Sequence, residues 1–306
     1  MSKLKNIGEI SLIEKISRFC PQGKSVIKGI GDDAAVVRPG QNKSLLFTAD
    51  MLIEDVHFRR KDDPRLIGHK ALACSLSDIA AMGGIPKYAL LSVAFPPELD
   101  VAYVQQIYRG LQKTAQKFKV DIVGGDTNSA DKIIIDVFVC GEIEPGNAVM
   151  RSGAKNHDLI FVTGTLGGSI QGRHLRFTPR VKEAEFLVKN FKINSMIDIS
   201  DGLAIDLQRL VSQSRMGAII SPEKIPLSAQ AAKLENALYD GEDFELLFTL
   251  DRNQAEVLIQ KWPFKKSTRL SCIGEVLNKH QGEIWSETKS GQRKKIKIKG
   301  YQHFTS

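Results

Sequence analysis

Arg65-Leu-Ile-Gly-His-Lys-Ala-Leu-Ala-Cys-Ser-Leu-Ser-Asp78-Ile-Ala-Ala-Met82, stopped by Gly83-Gly84 and Pro86, is the stretch on which the fold turns. Leu66, Ile67, Ala71, Leu72, Leu76 and Ile79 recur at helical spacing on one face, and paired glycines with a proline beyond them form a helix stop. The spacing predicts one helix over residues 65–82. Asp78 lies inside its apolar run, where a carboxylate is costly to bury without a partner. Outward on both sides the pattern switches to strands, Ala34–Val37 and Ser44–Asp50 upstream and Tyr88–Phe95 downstream. Strand, helix and strand in that order is the grammar of an α/β chain.

Further out, Glu9–Phe19 reads as an amphipathic helix ending before Pro21, and Val101–Lys119 as a second long one. Asp121–Val123 and Lys132–Cys140 read as strands around a loop, Gly124-Gly-Asp-Thr-Asn-Ser129. A β-rich first domain therefore ends near Pro145. The second half has strand-like runs at Leu159–Thr163, Ser195–Ile199, Ala218–Ile220, Phe244–Leu250 and Ser271–Val276, with helical patterns at Val181–Lys189, Leu203–Ser214 and Gln254–Lys261. The expected fold class is α/β (α+β) in two domains, residues 1–147 and 148–306.

The 306 residues carry 43 Lys and Arg against 35 Asp and Glu, a formal charge of +8. Residues 1–150 are nearly balanced, 19 basic against 18 acidic, and the excess sits in the tail, where Lys289, Arg293, Lys294, Lys295, Lys297 and Lys299 have no acidic residue among them. Lys295-Ile-Lys-Ile-Lys299 alternates charge with isoleucine, so it reads as a lysine-faced edge strand rather than a nucleic-acid surface. No apolar run approaches the length of a membrane span. Cys20, Cys74, Cys140 and Cys272 are far apart and read as small core residues, not zinc ligands or a disulfide framework. Met1-Ser-Lys-Leu-Lys-Asn lacks an apolar signal region, so a cytoplasmic location is expected.

The chemistry lies in the carboxylates. Gly31-Asp32-Asp33, Asp50, Gly124-Gly125-Asp126, Asp198-Ile-Ser-Asp201-Gly202 and Asp240-Gly-Glu242-Asp243 each lie at an end of a strand-like run, and Asp78 adds a sixth position. Such a set of hard oxygen donors suits Mg²⁺ shared with substrate phosphates, and the glycines let backbone N–H groups approach those phosphates. Singly, each motif has a plain structural reading: a Gly-Asp pair makes a turn, and Asp198 or Asp201 would cap the helix starting at Leu203. Gly164-Thr-Leu-Gly-Gly lacks the Gly-Lys-Ser/Thr ending of a P-loop, and GxGxxG, GxSxG and HExxH are absent.

Together, Gly31-Asp-Asp-Ala-Ala-Val, Thr48-Ala-Asp-Met-Leu-Ile-Glu-Asp-Val-His57-Phe, Lys70-Ala-Leu-Ala-Cys-Ser-Leu-Ser-Asp78, Val123-Gly-Gly-Asp126-Thr, Arg151-Ser-Gly-Ala-Lys, Ile197-Asp-Ile-Ser-Asp201-Gly-Leu, Gly241-Glu-Asp-Phe-Glu and the terminal Gly300-Tyr-Gln-His-Phe resemble the thiamine-monophosphate kinase family, in order over nearly the whole chain. Separate pieces are shared with aminoimidazole-ribonucleotide and selenophosphate synthetases. His57-Phe58, Arg151-Ser-Gly-Ala and the Tyr301 ending resemble the kinase specifically, and no cysteine precedes Cys20 to serve a selenophosphate synthetase.

The resemblance implies phosphorylation of thiamine monophosphate to thiamine diphosphate with ATP as co-substrate and several Mg²⁺ ions. It implies a homodimer whose N-terminal domains pair into a barrel, with clefts between domains as active sites; the tail pattern and the short apolar runs add the expectation of no nucleic-acid or membrane partner. On the matching positions, Asp32, Thr48, Asp50, Asp78, Asp126, Asp198 and Asp201 would serve the metal; Tyr108, Gly125, Asp126, Arg151 and Ser200 would meet ATP; His57, Glu242 and Tyr301 would meet thiamine monophosphate. Neither a general base nor a covalent nucleophile is expected. The chain departs from the family pattern at Ala49, which replaces a hydroxyl residue, at Asp240, commonly glycine, and between Gly168 and Ile193, where it is shorter. Altered substrate affinity is the expected consequence.

Overall fold

A computed structural model of the chain describes residues 8–17, 19, 22–40 and 42–301. The first half forms α1 (Gly8–Ser17), β1 (Val26–Lys28), β2 (Ala35–Val37), β3 (Ser44–Ile53), α2 (Pro64–Ala81), β4 (Ile85–Phe95), α3 (Val101–Phe118), β5 (Asp121–Ser129) and β6 (Ile134–Ile143). The second forms β7 (Leu159–Thr163), α4 (Val181–Asn190), β8 (Ile193–Asp198), α5 (Leu203–Gln213), β9 (Gly217–Ile220), α6 (Leu234–Tyr239), β10 (Leu246–Leu250), α7 (Arg252–Lys261), β11 (Leu270–Leu277), β12 (Ile284–Glu287) and β13 (Arg293–Lys295). A six-stranded sheet, β1-β2-β3-β6-β4-β5, and a seven-stranded one, β13-β12-β9-β11-β7-β10-β8, divide the chain into two α/β domains.

α2 opens as its sequence dictates, with Asp63 accepting from the Arg65 N–H at 2.9 Å and Pro64 in the first turn, where a missing N–H is harmless. Its burial exceeds the single apolar face that the spacing predicts: residues from Ile67 to Ala81 are buried nearly all round. The reason is tertiary. One side meets β3 and β6, another α3, and the remainder meets α4 and β8 of the second domain. Fully burying Leu72, Leu76 and Ile79 stabilises the fold by roughly 2 kcal/mol each. α2 and α3 approach so closely that a Cβ on Gly68 would lie 1.9 Å from the Ile107 carbonyl oxygen, and one on Gly110 the same distance from that of Arg65.

One apolar cluster runs from Val36 and Leu46 through α2 to Phe161, Met196 and Phe248 on the near face of the second sheet; another fills the far face, beneath α5 and α6. The layers are therefore sheet, helices, sheet, helices, and α2 is the element shared between domains.

Two expectations require correction. Gly124–Ser129 is not a loop but the greater part of β5, paired parallel to β4 and exposed throughout. Its composition carries no strand signal; pairing with β4 supplies the order. The alternating Lys295–Lys299 segment is not a strand either. Pairing ends at Lys295, opposite Trp285, after which Ile296 is buried but Ile298 is 40% exposed. Arg293 pairs with Glu287 at 2.8 Å and Lys295 with Glu283, so part of the tail's charge is spent within the sheet. Cys74 is buried and Cys140 and Cys272 half-buried, all three as free thiols, whereas Cys20 and Pro21 lie outside the described residues. Among the described residues no helix is long and apolar enough to cross a membrane.

Candidate active site

Asp33, just before β2, Asp78, near the end of α2, and Asp198, at the end of β8, offer carboxylate oxygens that all lie within 4.8 Å of one another. Each is delivered by a different element, and Asp198 comes from the second domain. Thr48 Oγ1 on β3 donates to Asp78 at 2.5 Å, and Ser77 Oγ donates to Asp198 at 2.6 Å. Asp50, two residues along β3, keeps its Oδ2 buried without a hydrogen bond. Burial first, then repulsion from Asp50, Asp198 and Asp33, drives the pKa of Asp78 well above the carboxylate range. Burial and Asp33 do the same to Asp198, and burial brings Asp50 to about 6. Buried like charges this close require a cation or protons. An all-oxygen set with an unsatisfied carboxylate oxygen at its edge fits Mg²⁺.

Beside the cluster a cavity of about 780 Å³ lies at the domain junction, lined by Asp50, His57, Ser200, Asp201, Glu242 and Tyr301 among others. The Ile53 N–H donates to His57 Nδ1 at 3.0 Å, which places the proton of the neutral ring on Nε2. The Tyr301 N–H donates to the Asp201 carbonyl at 3.1 Å, tying the end of the described chain to the Asp198–Gly202 loop. Arg151 donates its guanidinium to Asp33 at 2.9 Å and its backbone N–H to Asp32 at 3.0 Å. Asp32 lies 3.2 Å from the Lys28 ammonium and is not one of the three acids whose oxygens converge, and its Oδ2 is buried without a hydrogen bond.

Three candidates do not converge within one chain. Tyr108 lies partly exposed on α3, outside the cavity lining. Gly125 and Asp126 lie on β5, and the register Met51–Asp136–Ser92–Asp126 puts three strand steps, about 14 Å, between β3 and Asp126. Asp50 belongs to the neighbouring row with Val137, Leu91 and Gly125, so Asp126 also points to the opposite face of the sheet.

Several site residues escaped the sequence reading. Asp33 was legible only as half of an Asp-Asp pair. Asp206 on α5 accepts the N–H groups of Ser200, Asp201 and Gly202 at 3.0 to 3.2 Å, and Arg209 bridges its carboxylate to that of Asp201. Burial, with Asp201 second, raises the Asp206 pKa to about 7. Lys70, wholly buried, escaped although it breaks the same apolar helix as Asp78. Asp240 has a local explanation: it accepts from the Gly168 N–H and the Asn236 amide, both at 3.0 Å, and so ties the Gly168 turn to α6.

A fold of two sheets about a shared helix, with carboxylates from both domains meeting at the junction, defines a class. Residues 31–143 match the family model "AIR synthase related protein, N-terminal domain" and residues 146–286 match its C-terminal counterpart, so the chain belongs to the AIR synthase related proteins. Within that class it belongs to the thiamine-monophosphate kinase family. It is 36% identical to the Bacillus subtilis thiamine-monophosphate kinase, covering 97% of this chain and 99% of that protein, and 35% identical to the Aquifex aeolicus one, covering 99% and 100%. The solved structure of AaThiL complexed with AMPPCP and TMP matches with a TM-score of 0.85 at 34% identity over 99% of each chain. Hydrogenase maturation protein HypE in complex with ATP, 20% identical at a TM-score of 0.73, shares the fold.

Proposed function

We propose that the chain transfers the γ-phosphoryl group of ATP to the phosphate of thiamine monophosphate, giving thiamine diphosphate and ADP. The observation that carries this reading is the meeting of Asp33, Asp78 and Asp198 beside a cavity that also holds His57, Glu242 and Tyr301. Full-length similarity to kinases of that name, and to a structure holding AMPPCP and TMP, supports it.

A phosphate oxygen of the acceptor is already deprotonated at neutral pH, so no base is required. It attacks the γ-phosphorus, the bond to the β,γ-bridging oxygen breaks, and ADP leaves with that electron pair. Mg²⁺, held by Asp33, Asp50, Asp78 and Asp198, would offset the charge of the polyphosphate and of these carboxylates. The protein's own part is alignment. Thr48 and Ser77 orient the Asp78 and Asp198 carboxylates, Asp206 holds the loop bearing Ser200 and Asp201, and Glu242 and Tyr301 present a carboxylate and an aromatic face to the cationic acceptor. Arg151 and Ser200 are assigned to ATP, and Asp32 a supporting place behind Arg151; Tyr108, which lies outside the cavity of its own chain, would meet ATP only in the cleft of a second subunit.

Gly125 and Asp126 fit this scheme only in a homodimer. β5 is a sheet edge exposed along its length, and the face that Asp126 shares carries exposed Met51, Tyr88 and Leu90. Pairing two such faces into a barrel covers them and lets the edge strand of one subunit reach the cleft of the other. We assign residues 1–147 to this nucleotide-binding and dimerising domain, 148–306 to the second, and the enzyme to the cytoplasm. An acceptor panel tests the function: ADP release with ATP and Mg²⁺ is expected with thiamine monophosphate and not with thiamine or a purine-precursor ribonucleotide. Equal turnover with the ribonucleotide would move the chain to a synthetase.

A further inference from the structure

Lys70 has no exposure to water, yet lies on α2 between the residues assigned to the acceptor. Its Nζ donates to the His57 carbonyl oxygen at 2.9 Å and to a carboxylate oxygen of Glu242. His57 follows β3 in the first domain, whereas Glu242 precedes β10 in the second, so one ammonium spans the domain junction. A buried ammonium persists only where its donors are matched, and a partner lost from such a pair leaves the other charge stranded.

Glu242 is held from other directions as well. Its backbone is left-handed, φ +56°, an uncommon state for a residue other than glycine. The Glu242 N–H donates to the Ser200 carbonyl at 2.6 Å and the Phe244 N–H to that of Ile199 at 2.8 Å. Backbone strain, two anchoring hydrogen bonds and a buried ion pair all converge on one carboxylate. Its side chain remains 25% exposed and lines the cavity while Oε2 is engaged by Lys70.

We infer that Lys70 is the positioning residue of the acceptor pocket, locking Glu242 of one domain to the His57 segment of the other so that the free side of the Glu242 carboxylate faces the cationic acceptor. The pair is also neutral overall, so the pocket keeps a carboxylate for the cation without adding net negative charge against the acceptor's phosphate. Lys70 itself does not touch substrate. The inference rests on the assignment of Glu242 and His57 to the acceptor made above.

The test compares Lys70→Met, Glu242→Gln and the double variant in the full chain by steady-state kinetics, with thermal melts to fix the folded fraction. Lys70→Met is expected to raise KM for thiamine monophosphate about tenfold or more and leave KM for ATP within about twofold. In the Glu242→Gln background the same change is expected to add less than about threefold, because the main group it positions is gone. Lys70→Gln, neutral but still a donor to the His57 carbonyl, gives a smaller, equally selective rise and carries the test if the methionine variant does not fold. Equal effects on both KM values, or full additivity in the double variant, would reduce Lys70 to a structural residue and overturn the inference. A wild-type protein that forms no thiamine diphosphate would instead remove the pocket assignment, and the inference with it.

Discussion

Replacing Asp50 by asparagine should make the metal-free protein more stable at neutral pH. The Asp50 carboxyl is buried beside three other acids, and its pKa stands at about 6 against an ordinary 3.8. Folded protein therefore binds more protons than the unfolded chain between about pH 4 and pH 6. Stability falls as pH rises through that window, and the loss is complete above it. A shift of about two units amounts to an order of 3 kcal/mol. Asparagine removes the charge at nearly constant volume but buries an amide N–H without a matched acceptor at a cost of about 1 kcal/mol, which leaves a gain of about 2 kcal/mol at pH 7 and none near pH 4. Thermal melts with EDTA should accordingly show a rise of roughly 4 °C for the variant at pH 7. With Mg²⁺ the order reverses, since the parent gains about 2.7 kcal/mol at a hundredfold excess over Kd. A metal-free variant less stable than its parent at pH 7, or a parent whose stability is flat from pH 4 to 6, would refute the reasoning.

The adjacent acids before β2 should separate: Asp33→Asn is expected to lower kcat about a hundredfold or more, because it removes a cluster oxygen, whereas Asp32→Asn stays within about tenfold. Rate assays over a Mg²⁺ series decide it, and equal losses would contradict the placement. Gly110→Ala forces a Cβ against the Arg65 carbonyl and should cost about 3 kcal/mol in denaturant melts, while Gly40→Ala, with open space around it, stays within about 0.5 kcal/mol. ATP labelled at the γ-phosphorus should leave no label on the protein in the absence of acceptor; a stable phosphoenzyme would exclude direct transfer.

What the chain discloses depends on where each signal resides. α2 and Asp78 are legible because an apolar helical run broken by one acid is a local contradiction that needs a tertiary answer. Lys70 poses the same contradiction and could be read by the same rule. Asp33 could not be told from Asp32 by sequence, since adjacent loop acids share every local property and only the turn before β2 decides which one faces Asp78. β5 was hidden for a related reason: Gly-Gly-Asp-Thr-Asn-Ser has turn composition, and its order comes from the ladder with β4. Asp206 acts through three backbone N–H groups whose convergence exists only after the Asp198–Gly202 loop has folded.

The fate of the γ-phosphoryl group bears most directly on the account. Phosphorus NMR of the protein with ATP, Mg²⁺ and thiamine monophosphate should show the γ signal giving way to the terminal phosphate of thiamine diphosphate, one for each ADP formed. Release of the same phosphorus as inorganic phosphate, with thiamine monophosphate unchanged, would contradict it.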